Sequence, residues 1–286
     1  MVIVKGSTSG SRTRFDSMPS TESVVYDDSG AAMSTTGIVS LDSDGFTVGV
    51  DAVKTSSINF SAVVYYWIAI GGDSSDIATG TYTGDGTDDR DVVTSLSFQP
   101  DYVTVKGVTP ANSQMFGVVR SSPLAAATDE TWYIDSGGTL TFFANGIQQV
   151  LSNGFQVGTH NTVNANGLTY YWYAIKATTG IAEFGTYTGD GAASRDITAV
   201  TTFTPDCVVS VRRTAGFTGW KTSVIPSLNG FIASQTSTSL TTTVRGFLAD
   251  GFSVGTNCNV NAAPYYFMAL KENVPSTSSS NFLMFM

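Results

Sequence analysis

One seven-residue string limits what this chain can fold into more than any other feature. GTYTGDG, at Gly80–Gly86, recurs letter for letter at Gly185–Gly191, 105 positions later. The register holds beyond the string: Arg90-Asp91 becomes Arg195-Asp196, Phe98 becomes Phe203, and Pro100-Asp101 becomes Pro205-Asp206. A second block occurs three times, as DGFTVG at Asp44–Gly49, NGFQVG at Asn153–Gly158 and DGFSVG at Asp250–Gly255. Each leads into an aromatic run: Tyr65-Tyr66-Trp67, Tyr170-Tyr171-Trp172 and Tyr265-Tyr266-Phe267. VIVKG at Val2–Gly6 also matches VTVKG at Val103–Gly107. Self-similarity at a fixed period marks repeated supersecondary units. The sequence therefore predicts three copies of one unit, at residues 1–72, 77–178 and 181–272, followed by a C-terminal arm at 273–286; the first copy lacks the leading segment.

The units read as strands. Tyr102–Gly107 and Cys207–Arg212 are rich in β-branched residues and bounded by Pro-Asp and Gly, and the Asp-Gly and Asn-Gly pairs ahead of each Phe supply hairpin turns. Tyr65–Ile70, Tyr170–Ile175 and Tyr265–Leu270 are apolar on both faces, so each needs cover on two sides. No helical periodicity stands out. The expected fold is all-β: three tandem antiparallel β-sandwich-like repeats of about 100 residues each, the first missing its leading strand segment. Three such units either stack in a line or close on one another, and the sequence does not decide which. An open edge in the first copy needs covering, and the apolar end Phe282, Leu283, Met284, Phe285 is the candidate assembly arm, docking within the chain or into a neighbour.

Charge narrows the function classes. Only 13% of residues are charged and the net charge is −9, without a Lys/Arg cluster, so nucleic acid is not an expected partner. No stretch has the length and apolarity of a membrane span and no secretory signal opens the chain, which predicts a soluble protein without membrane insertion. Two cysteines, Cys207 and Cys258, are too few for a disulfide framework, and with a single histidine they offer no zinc spacing.

Few residues invite chemistry. His160 stands where the other copies have Asp51 and Asn257, which reads as a loop position. Asp85, Asp88, Asp89 and Asp91 form a calcium-type cluster, but the third copy keeps only Asp190 and Asp196 of it. What both copies keep, Asp-Gly and Arg-Asp, reads as a turn followed by a structural ion pair at Arg90, Asp91, Arg195 and Asp196. The four glutamates do not match between copies, so a pair of catalytic carboxylates is not expected, nor is any cofactor. Trp132 and Trp220 lie on segments that vary between copies, 114–141 and 214–235, and are the candidate receptor or partner contacts.

The ordered pattern GTYTGDG, F-x-P-D, V-x-V-K, D/N-G-F-x-V-G and V-N-x-x-G-x-x-Y-Y-W, complete in this chain from Gly80 to Trp172, resembles a β-rich domain repeated in virion proteins of tailed bacteriophages. The resemblance implies a structural, non-enzymatic role in the virion, assembled in the host cytoplasm. It implies contacts with major capsid or tail subunits, and for a shell component symmetric assembly as a homo-oligomer is the usual consequence. The leading expectation is an exterior capsid decoration or cement protein. The alternatives are a tail-fibre or tail-tip protein that binds a receptor or host surface glycan, and a secreted carbohydrate-active protein.

Overall fold

The computed structural model describes residues 1–6, 11–24, 34–50, 58–93, 95–107, 117–124, 129–134, 140–214, 218–226, 228–232, 240–272 and 283–285. Nearly all regular structure among them is β, arranged in several antiparallel sheets, with a short helix at Asn161–Asn164 and a 3₁₀ turn at Thr256–Cys258.

The second unit has a six-stranded sheet in the order Leu140–Phe143, Thr131–Ile134, Gly117–Ser121, Tyr102–Gly107, Thr169–Ile175, Ile77–Thr83. Facing it is a three-stranded sheet, Ile147–Leu151, Gly154–Val157, Arg90–Val93. In the third unit the same order runs through Phe231–Ile232, Thr218–Thr222, Cys207–Arg212, Pro264–Leu270 and Ala182–Thr188, with Val244–Leu248, Gly251–Gly255 and Ser194–Ile197 as the facing sheet. The first unit keeps Ser11–Arg14, Val2–Gly6 and Tyr65–Ile70, and only the hairpin Ile38–Asp42, Gly45–Val48 faces them. All three hairpins break register at the same place, between Ile38 and Ser40, Ile147 and Gln149, and Val244 and Gly246. A bulge at one fixed point bends each hairpin alike.

The fourth strand of the first unit's main sheet is the C-terminal arm. Leu283–Phe285 pairs antiparallel with Tyr65–Ile70, Leu283 opposite Ile70. This is the side that Ile77–Thr83 occupies on Thr169–Ile175, where Ile77 stands opposite Ile175. The arm thus docks within its own chain; Phe282 lies outside the described residues.

The two-faced strands explain how the units associate. Because side chains alternate across a strand, Tyr170, Trp172 and Ala174 enter the second unit's own core, while Tyr173 and Ile175 turn away into a second one. Likewise Tyr265, Phe267 and Ala269 pack within the third unit and Leu270 turns outward; Trp67 packs within the first unit, and Ile68 and Ile70 turn outward. The outward faces meet. One core joins Phe15, Ile68 and Ile70 to Tyr173 and Ile175 and to Cys207, Trp220, Phe231 and Leu270. Phe15 meets Tyr173 with ring centroids 6.2 Å apart, Tyr102 stacks on Phe184 at 5.8 Å, and Tyr66 meets Phe231 at 5.1 Å, so every unit touches both others. The units close on a shared core and do not form a line. Each fully buried side chain of this size contributes roughly 1.5–3 kcal/mol, which makes the shared face as important as any private one.

Candidate functional site

In each complete unit the recurring GTYTGDG letters run along the aromatic strand and into the loop beyond it, and their first job is close approach. A Cβ on Gly80 would lie 2.5 Å from the Trp172 indole, and one on Gly185 would lie 2.6 Å from the Phe267 ring. At Gly84 and Gly189 the obstacle would be the carbonyl oxygen of Ala165 or Val260. The ring beneath is held edge-on by the Phe of the second block: Phe155 against Trp172 at 5.9 Å, Phe252 against Phe267 at 5.2 Å, and Phe46 against Trp67 at 5.3 Å. Tyr82 stacks on Tyr170 and Tyr187 on Tyr265, with centroids 5.2 and 4.8 Å apart.

Beyond these glycines the loops are pinned by a buried asparagine. Asn164 Oδ1 accepts from the N–H of Asp85 (3.0 Å), and its Nδ2 donates to the Thr87 carbonyl (2.7 Å). Arg90 donates to the same Oδ1 (3.2 Å) and to the Thr83 carbonyl (2.6 Å), with its Nε 3.2 Å from Asp85 Oδ2. The third unit repeats this: Asn259 accepts from the Asp190 N–H (3.1 Å) and donates to the Ala192 carbonyl (3.0 Å), while Arg195 Nε lies 3.4 Å from Asp190 Oδ2. Both asparagines are fully buried.

This corrects the expected ion pairs. Arg90 joins Asp85, not its neighbour Asp91, and Arg195 joins Asp190, not Asp196. Adjacent residues on a strand face opposite ways, and Asp91 accordingly accepts from the Gln156 amide (3.1 Å). Hydrogen bonds from the Thr87 backbone and hydroxyl hold the Asp85 carboxyl below the ordinary carboxylate range, with Arg90 adding to them. At Asp190 the Ala192 N–H does the same first, then Asn259.

The calcium-type cluster does not assemble either. Asp85 is committed to Arg90 and Thr87, Asp88 accepts from Gln148 (3.0 Å) and from the Asp89 N–H (3.1 Å), and Asp91 turns to Gln156. Among the described residues no three acidic, histidine or cysteine side chains are placed to share a metal ion. Asp88 and Asp89 instead border an open polar depression of about 360 Å³ with Asp129, Gln148 and Gln156.

Other sequence candidates move inward. Trp132 and Trp220 are only 4% and 6% exposed, so neither is a surface contact. Trp220 belongs to the shared core, and Trp132 joins Val211 and Tyr266 in a core between the second and third units. Their segments vary between copies because each meets a different neighbour. His160 caps the short helix, Nδ1 accepting from the Thr162 N–H (3.3 Å), and burial lowers its pKa. Asp51, at the matching position, lies outside the described residues. Cys207 and Cys258 are free, buried thiols in different cores.

A repeated cation escaped the sequence reading. Arg14, Arg120 and Lys221 stand opposite Val2, Val103 and Val208, equivalent positions in the three main sheets. Each is buried and donates to carbonyls of the excursion that follows: Arg14 to Pro19 (2.8 Å) and Glu22, Arg120 to Glu130 (2.6 Å), Lys221 to Ile225 (2.8 Å) and Asn229 (2.7 Å). Burial lowers the pKa of all three, that of Lys221 to about 8. These cations organise loops. The different letters, Arg, Arg and Lys, hide the repeat until register is known.

Residues 73–184 match a family described only as a domain of unknown function, DUF7483. The match covers the second unit and reaches into the first strand of the third. No curated protein and no solved structure matches the chain.

Proposed function

We propose that this protein is a non-enzymatic structural component of a bacteriophage particle, an exterior decoration or cement protein working through contacts between subunits, and that its three units are copies of one fold. The observation that carries this reading is the use to which the recurring letters are put. Gly80 and Gly185 admit a ring, Gly84 and Gly189 admit a backbone, and Asn164, Asn259, Arg90 and Arg195 hold loops. Residues kept for packing and bending, in three units fused on one core, suit a body whose task is to stand firm and adhere. Partners on this reading are major capsid or tail subunits and further copies of the chain.

The receptor-binding alternative named Trp132 and Trp220 as contacts, and both are buried. The test mixes purified protein with isolated phage capsids and, separately, with host cells. Saturable binding to capsids and none to cells supports the cement role; cell labelling that competes with phage adsorption overturns it.

A further inference from the structure

In both complete units the second-block strand is sandwiched. Gly154–Val157 lies between Ile147–Leu151 and Arg90–Val93, and Gly251–Gly255 lies between Val244–Leu248 and Ser194–Ile197. In the first unit, among the described residues, Gly45–Val48 has a partner on one side only, Ile38–Asp42. The consequence shows in burial. Phe155, Val157, Phe252 and Val254 are 0% exposed, whereas Phe46 and Val48 are only partly buried and nearby Val50 is 77% exposed.

A cavity of about 300 Å³, closed on its far side by Ile77–Thr79 and Tyr173 of the second unit, adjoins this edge at Gly45 and Phe46 and is lined also by Val2, Leu41, Trp67 and Ala69. Their register equivalents in the second unit, Val103, Val150, Phe155, Trp172 and Ala174, pack in one core with Val92, Leu96 and Phe98. In the third unit Ile197, Val200 and Phe203 fill the corresponding place. The arm strand Leu283–Phe285 takes on Tyr65–Ile70 the positions that Ile77–Thr79 hold on Thr169–Ile175.

We propose that Gly45–Val48 and the cavity beside it form an acceptor for a β-strand donated by a second polypeptide. The molecule itself displays the complement twice: an extended segment with an Asp-Gly turn, an Arg-Asp pair, an aliphatic residue facing inward at the place of Val92 or Ile197, and a Phe at the place of Phe98 or Phe203. The occupant is a protein arm of that chemistry, since an unpaired edge supplies main-chain hydrogen bonds and the cavity selects the side chains. This inference rests on the likeness of the three units and not on the virion role, whose failure would leave it intact.

The probe is a fluorescein-labelled peptide of residues 80–100, titrated against the full chain by anisotropy. Saturable binding is expected, weakened about tenfold or more when the peptide carries Val92→Asp or Phe98→Asp. Register is read by cross-linking. Gln156 faces Asp91 in the second unit, so protein Thr47→Cys should form a disulfide with peptide Asp91→Cys, while Ser43→Cys in the hairpin turn should not. No binding, binding indifferent to the two aspartates, or equal cross-linking at Ser43→Cys overturns the proposal. Cross-linking to Gln156→Cys instead of Thr47→Cys also overturns it, because the peptide would then be exchanging into the second unit.

Discussion

The first unit and the two complete units carry the same second block and the same two-faced strand, yet they bury them to different depths. Phe155 and Phe252 are wholly buried beneath a third strand, while Phe46, on the same kind of hairpin, is only partly buried. The difference teaches what the GTYTGDG segment is for. Its first strand extends the main sheet, its loop is pinned by a buried asparagine, and its second strand closes the facing sheet over the Phe. Without it the hairpin still forms, bulge included, because turn chemistry and pairing are local. What the first unit lacks, among the described residues, is a strand closing over the Phe.

The largest effect that could break this comparison is alkaline unfolding. Burial raises the pKa of Tyr170 and of Cys258 to about 12, and raises those of Tyr82 and Tyr187 as well. Ordinary values are about 10 for tyrosine and about 8.5 for cysteine. A raised folded pKa contributes stability that is complete below the unfolded value and lost as pH climbs through the folded one. Stability should therefore fall from about pH 9 upward, with amide exchange accelerating in the second and third units before the first. Lys221 works the other way: its folded pKa is lowered to about 8, so the cost of its charge is felt below that pH and fades above it. Simultaneous opening of all three units would erase the distinction.

Next come the matched aromatics. Trp172→Ala should cost about 3–5 kcal/mol, and Trp67→Ala, at the equivalent but less covered position, about half as much. Denaturant midpoints at constant m-value measure both, and equal losses would mean the missing segment contributes nothing to the burial of that ring. Removing residues 273–286 strips the outer edge of Tyr65–Ile70 and should lower the melting temperature by roughly 2–4 °C per kcal/mol lost. An unchanged melting temperature and assembly state would reject the docked arm.

Asn164→Ala and Asn259→Ala should each cost about 1–3 kcal/mol, since buried backbone groups lose their partner. Proteolysis should then cut at 84–89 or 189–193 and spare the first unit. The smallest effect belongs to Asp85→Asn and Asp190→Asn. Their depressed carboxyl pKa values contribute above the ordinary carboxylate range and are lost as pH falls through the folded values, so the variants should flatten the acid side of the stability profile. A flank unchanged by both substitutions would show that the loop ion pairs are ornamental.

Much of the fold was legible because its signals are local or repeated. Alternation identified the strands, Asp-Gly and Asn-Gly the hairpins, and an apolar run on both faces the need for two layers of cover. The site was less legible. Arg90-Asp91 looked like a pair because sequence neighbours look close, whereas the pleat sends them apart and brings Asp85 across the loop. Trp132 and Trp220 looked like surface letters because they vary between copies; each in fact faces a different neighbouring element.

The sequence by itself determined that the regular structure is nearly all β, where its hairpins turn, and which strands need burying twice, since these follow from side-chain period and backbone preference within a few residues. Only the tertiary structure decided that the units close on one shared core, that the chain's end returns to the edge of its first unit, and that Gly45–Val48 stays uncovered among the described residues. Those outcomes depend on which apolar faces find each other across long stretches of chain, and no local spacing records that.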